Sequence, residues 1–299
     1  MPYYRLRDGE QIYVRVVGWG RPCLLLHGMS LDSRSLLPFI WPHIWRCRFY
    51  LPDLRGFGHS RRCALRADDI YGQQAEDVAD LLGQLDQTPF LLGGISLGAL
   101  VGLQYLATFG AERVARYLHI DHPAHLVLSD APDIISRELL TLAHLLVGQA
   151  EQAGLTPDMP FAALPPDYRD LYYAFLAAVL QHALGQNYQK LAAGVLLSND
   201  WGRELAAWVS STECWYAVLL CVRGYLTGRF DVRAALGGLD IPITCMIGLQ
   251  NDLFHLRDLL YVPDHLPNSR LIEFSGSSHL LPLTEPLKFQ REFGRFLTD

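Results

Sequence analysis

The sequence predicts an α/β fold, a mostly parallel central sheet flanked by helices with an inserted helical lid, and three observations lead there. Apolar runs at 23–28, 89–95 and 243–248 are of the kind that strands buried on both faces require, and 47–51 reads as a further strand. Segments with helical spacing separate them, as at 68–86, where Ile70, Val78, Leu81, Leu82 and Leu85 share a rough stripe. The alternation stops over residues 133–236, a long stretch with helical but no strand character. Residues 1–132 and 237–299 therefore read as the core and 133–236 as the lid.

At 299 residues, half of them hydrophobic, the chain is long enough to bury one large core. A net charge of -6, from 25 basic and 31 acidic residues, argues against nucleic acid or an anionic membrane as partner. A small neutral or apolar molecule fits better. The opening Met1-Pro2-Tyr3-Tyr4-Arg5 has no basic-then-apolar leader, and no 18-residue uncharged apolar stretch occurs, so a cytoplasmic protein without a membrane span is expected. Cys23, Cys47, Cys63, Cys214, Cys221 and Cys245 lack C-x-x-C spacing and read as buried thiols. No cofactor or metal is expected, and the oligomeric state is open.

In chain order, residues 3–17 form two β-rich runs around Asp8-Gly9-Glu10, an opening hairpin suited to a sheet edge. The run 23–28 ends in His27-Gly28, before the loop Met29–Asp32. Residues 33–45 have helical spacing, and the strand at 47–51 leads into Asp53-Leu54-Arg55-Gly56-Phe57-Gly58-His59-Ser60. After the helix at 68–86, the stretch 89–101 reads as strand, sharp turn and helix. Within it Gly94-Ile95-Ser96-Leu97-Gly98 fits G-x-S-x-G, where small flanking residues let strand and helix approach and a strained turn exposes the serine. Ser96 is the candidate nucleophile. The Leu97 amide and the helix dipole are placed to stabilise an oxyanion.

Residues 97–122 read as helix, broken at Gly110, followed by a strand at 125–130. His119, Asp121, His122 and His125 have no metal-type helical spacing and read as a solvated turn. Among the lid aromatics, Trp208, Trp215 and Tyr216 are the first candidates to contact a substrate. The strand at 243–248 closes with Leu249-Gln250-Asn251-Asp252, and that at 270–274 with Ser275-Gly276-Ser277-Ser278-His279. Parallel strands end on one side, so both loops can reach Ser96.

The His-Gly pair, the octet at 53–60, the serine turn, the Ser-Asp-His order and the tail from Leu281 together resemble the α/β-hydrolase fold family over most of the chain, leaving 133–236 without a recognisable pattern. The resemblance implies that the Met29 amide supplies half of the oxyanion hole, that His27 shapes its loop and is not the base, and that Asp53, Arg55 and Ser60 brace the loops. A serine needs a base and the base an orienting carboxylate, which assigns His279 and Asp252. Asp130 and Asp133 compete for the acid role, because some members place it after the strand following the nucleophile. The expected reaction is hydrolysis of a carboxylic ester of a small hydrophobic substrate through an acyl-serine. The alternatives are an acyltransferase or thioesterase acting on carrier-bound acyl chains, a non-metal haloperoxidase-like perhydrolase, and a ligand receptor with little turnover.

Overall fold

An eight-stranded sheet organises the computed structural model, which describes residues 3–85, 89–126, 128, 133, 135–185 and 212–299. Its strands are β1 (Tyr3–Arg5), β2 (Gln11–Val17), β3 (Arg21–Leu26), β4 (Cys47–Pro52), β5 (Phe90–Ile95), β6 (Val114–Ile120), β7 (Ile243–Gly248) and β8 (Ser269–Phe274), in the order β1-β2-β4-β3-β5-β6-β7-β8. The opening hairpin forms the antiparallel edge, with Tyr3 opposite Tyr13 and Val14 opposite Pro52. From β4 to β8 every pairing is parallel, so the strand ends carrying residues 27, 53, 96, 121, 249 and 275 share one side.

The continuous apolar runs are explained by helices on both faces. Leu92, Phe90 and Val114 pack with α2 (Ile70–Gln84) and α3 (Leu97–Phe109), which follow the short α1 (Leu37–Ile40). On the other face Leu91, Leu118 and Met246 meet Phe289, Phe293 and Phe296 of a C-terminal helix, Pro286–Thr298. The Asp69 side chain accepts the Gly72 amide at 2.9 Å and so caps the start of α2.

One expectation is corrected. The chain from 97 to 122 is not broken helix: α3 stops at Gly110, in a left-handed turn (φ 78°), and 114–120 is strand β6. Arg116 and His119 interrupt its apolar run, yet Arg116 reaches the Phe296 carbonyl at 3.3 Å and His119 is buried with hydrogen-bond partners. The apolar run at 125–130 is not a strand in its described residues; His125 makes a single bridge to Asp231. The insertion between β6 and β7 thus begins at 121, and it carries α4 (Arg137–Gln152), α5 (Pro166–Leu184) and α6 (Trp215–Thr227).

The octet at 53–60 ties loops together. The buried Asp53 carboxylate accepts the Ser33 and His59 amides, each at 2.8 Å, and Ser60 Oγ accepts the Tyr13 amide at 3.0 Å. Arg55, 1% exposed, forms a two-bond fork with Asp77 and also meets Asp8. All six cysteines are buried free thiols, and among the described residues no helix is long and apolar enough to cross a membrane.

Candidate active site

Ser96 sits between β5 and α3 at φ 54° and ψ -120°, a backbone conformation that side-chain-bearing residues rarely adopt and that costs about 1–3 kcal/mol. The two glycines of the motif make that turn possible. A Cβ on Gly94 would lie 2.2 Å from the Gly98 carbonyl group, and one on Gly98 would lie 2.2 Å from the Leu26 carbonyl oxygen. The Ser96 amide donates to Ile120 O at 3.0 Å, which fixes the turn to the end of β6. Ser96 immediately precedes α3, so the Leu97 amide is among the unpaired donors at that helix start.

Opposite it, the loop after β3 is held by His27. The Leu54 amide donates to His27 Nε2 at 2.9 Å, so the ring proton is on Nδ1, which donates to Gly28 O at 2.8 Å. Burial pushes the His27 pKa down, keeping the ring neutral in this role. This agrees with a loop-shaping histidine. Gly28 and Met29 border the same cavity as Ser96, with the ideal Cβ position of Gly28 3.7 Å from Ser96 Cβ.

The carboxylate that meets His279 is not that of Asp252. His279 Nδ1 lies 2.6 Å from Oδ2 of Asp121, the first residue after β6, and both side chains are buried. Asp121 has a left-handed backbone (φ 56°) and accepts two further bonds, from the Gly248 amide at 2.9 Å and from Asn251 Nδ2 at 2.5 Å. Asn251 Oδ1 accepts the Leu253 and Phe254 amides at 3.0 and 2.8 Å, which settles the orientation of its amide and aims the NH2 at Asp121. The β7 loop thus presents an amide, not a carboxylate, to this pair. Asp252 is half-buried, and its amide faces Ser278 Oγ at 3.3 Å. Asp133 is exposed and paired with Arg257 at 3.1 Å, while Asp130 lies outside the described residues.

The other histidines of this region are buried, not solvated. His119 is driven down to a pKa of about 4 by burial, although its bond to the His122 carbonyl favours the charged form. His122 Nδ1 pairs with Pro123 O at 2.9 Å, and His125 lies near Asp258. Sequence reasoning missed Asp121 and Asn251. The available signal was Asn251 itself, an Asx-turn residue next to the expected acid.

Ser96 and His279 border a cavity of ≈ 1010 Å³. Its roof comes from Leu139 and Ala143 of α4, Leu176 and Leu180 of α5, and Val222 and Leu226 of α6. Phe254 lies on His279, ring centres 5.7 Å apart. Among the described lining residues there is no lysine or arginine, and Asp170 is the one carboxylate. The aromatic candidates are placed differently from expectation. Trp215 is buried, its Nε1 donates to Met159 O at 2.9 Å, and it packs on Tyr168 and Tyr216 away from the cavity lining. Tyr216 does not line the cavity either, and Trp208 lies outside the described residues. Tyr173 and Tyr225 are the tyrosines that border it.

Comparison with known proteins agrees with this architecture. A protein named as a non-heme chloroperoxidase, from Synechocystis sp., is 24% identical over 295 residues, covering 95% of each chain. An AB hydrolase superfamily protein of Bacillus subtilis is 29% identical over 107 residues, a match spanning 35% of this chain and 39% of that protein. Among solved structures, an esterase from Exiguobacterium antarcticum superposes with a TM-score of 0.72 at 19% identity over 99% of both chains. The family model for the alpha/beta hydrolase fold matches residues 22–286, and the chain belongs to that family.

Proposed function

We propose that the protein is a serine hydrolase that cleaves carboxylic esters of uncharged, apolar substrates through an acyl-serine intermediate. The observation that carries this reading is the placement of a strained serine and a carboxylate-paired histidine on one apolar cavity. Asp121 takes Nδ1–H of His279, so Nε2 is the basic nitrogen, free to accept the Ser96 proton as Oγ attacks the ester carbonyl. The negative charge moves to the carbonyl oxygen, where the Met29 and Leu97 amides stabilise it. His279 then gives its proton to the departing alkoxide. A water molecule, deprotonated by the same nitrogen, releases the acid and restores Ser96.

The cavity supports the substrate class. Its lining is aliphatic and aromatic with few polar groups, and each buried methylene of a bound chain contributes about 0.8 kcal/mol. The helices of the insertion supply nearly half of that lining, so they set chain preference while the chemistry stays with the sheet. A second reading has a specific observation behind it, the near full-length likeness to a protein named as a chloroperoxidase. In a perhydrolase the same acyl-serine would be attacked by hydrogen peroxide in place of water, giving a peracid.

A chromogenic ester assay with stopped-flow detection tests the proposal. The native protein is expected to give a burst of alcohol product and a mass increase of one acyl group on the peptide carrying Ser96. Ser96→Ala should lower kcat on the order of 10⁴ to 10⁶-fold. A folded Ser96→Ala protein with native turnover, or a native protein with no acyl adduct, refutes it. Adding peroxide and assaying peracid separates the second reading.

A further inference from the structure

A chain of buried polar contacts runs beneath β6 from the helix that follows Ser96 to the turn that holds Asp121. The Tyr117 hydroxyl donates to Ala99 O at 2.6 Å, and Ala99 lies in the first turn of α3. The same hydroxyl is 3.2 Å from His119 Nδ1, and His119 Nε2 is 2.6 Å from the His122 carbonyl. Tyr117, His119 and His122 are each at most 1% exposed. A carbonyl oxygen only accepts, so His119 carries its proton on Nε2 and donates it there.

That carbonyl belongs to the residue directly after Asp121, whose φ of 56° is one that non-glycine residues hold only when their surroundings enforce it. The Asp121 amide is bound to Met246 O at 3.0 Å, which fixes the turn from the N-terminal side. His119 fixes it from the C-terminal side. Without that bond the turn has one fewer restraint against relaxing to negative φ, a change that would swing the carboxylate away from His279. Tyr117 spends its one proton on Ala99 O, so its 3.2 Å approach to the unprotonated His119 Nδ1 is a packing contact, which sets the imidazole against α3 and places the Asp121 turn and the Ser96 helix on either side of one buried pair.

We propose that His119 and Tyr117 are positioning residues, which hold the Asp121 turn in register with the Ser96 helix and so keep acid, base and nucleophile aligned. This rests on the serine hydrolase reading above. A role confined to core packing would affect stability and leave the chemistry alone, and the two are separable by experiment.

His119→Leu removes the donor, His119→Gln keeps an amide donor, and Tyr117→Phe removes one oxygen atom. Each variant, shown folded by near-ultraviolet circular dichroism, is assayed with a neutral chromogenic ester across pH. A misplacement of about 1 Å can cost on the order of 10²-fold, so His119→Leu is expected to lose that much kcat with KM unchanged. The acid limb of its kcat/KM profile should move to lower pH, because a displaced Asp121 stabilises the His279 imidazolium less well. His119→Gln should recover most of the loss. Native kcat and an unmoved acid limb in folded His119→Leu, with only a lower Tm, overturn the proposal. If His119→Leu does not fold, Tyr117→Phe decides: a several-fold lower kcat with the same limb shift supports it, and native values for both overturn it. Native turnover in Ser96→Ala would instead refute the hydrolase reading, and the proposal with it.

Discussion

Replacing Asp121 by asparagine is the sharpest test of the acid assignment, because its carboxylate accepts three donors from three directions. Oδ1 takes the Gly248 amide, and Oδ2 takes both His279 Nδ1–H and Asn251 Nδ2–H. An asparagine has one accepting oxygen. If it faces Gly248, its NH2 points at His279 and at the NH2 of Asn251, and Asn251 cannot turn over without abandoning the Leu253 and Phe254 amides. His279 must then accept on Nδ1 and carry its proton on Nε2, the tautomer that cannot take a proton from Ser96. The expected loss in kcat is about 10⁴-fold. Facing donors also leave at least one buried N–H unsatisfied, which costs about 1–3 kcal/mol of stability. Steady-state kinetics on a chromogenic ester, with urea unfolding on the same samples, reads both numbers. Asp252→Asn, whose side chain is not bonded to His279, should stay near native activity. If Asp252→Asn is crippled while Asp121→Asn turns over normally, the acid assignment is wrong.

Two further outcomes follow from the buried and lining charges. His119 has a folded pKa of about 4 against 6.5 in the unfolded chain, so as pH falls the unfolded state takes up the proton first. Its contribution is complete above about pH 6.5 and is lost between there and about pH 4, amounting to about 3 kcal/mol at 1.36 kcal/mol per unit. His119→Gln should therefore show a shallower loss of urea-unfolding free energy over that window, and an unchanged slope would refute the burial argument. Asp170 is exposed and borders a cavity without a described cation, so esters bearing a free carboxylate should be hydrolysed more slowly than neutral esters of equal length. Asp170→Asn should narrow that ratio at low salt and leave neutral esters unaffected, as expected for a screened rim charge. A ratio unmoved by the substitution would show that Asp170 does not filter substrates.

The serine turn and the histidine loop were legible because each depends on a local rule. Gly94 and Gly98 are where a Cβ would strike backbone, and within the octet at 53–60 the Asp53 carboxylate accepts the His59 amide. The carboxylate that meets His279 was not legible, and the reason is physical. Strand β6 carries Arg116 and His119, and hydropathy counts both as breaks, although one reaches the Phe296 carbonyl and the other is satisfied by hydrogen bonds. The unbroken run Leu126-Val127-Leu128 after it attracts the strand assignment, so the candidate acids after that strand are displaced toward Asp130 and Asp133. At β7 the difficulty was one residue. Asn251 and Asp252 are adjacent, and the aspartate has the expected chemistry, but the Asx turn that caps Leu253 and Phe254 directs residue 251 inward. An amide at that inward position cannot serve as the acid, and it needs an acceptor for its buried NH2. Asp121 on the neighbouring strand supplies that acceptor and the charge together. Trp215 and Tyr216 lie away from the lining for a different reason: composition identifies what a helix can bury, not which face it buries. Trp215 went to the helical core, where Met159 O satisfies its N–H, while the leucines, valine and alanine of α4, α5 and α6 were left to line the cavity. A wall of aliphatic side chains with a few aromatic ones offers shape and apolar area with few fixed hydrogen bonds, which favours selection by chain size over selection by polar groups.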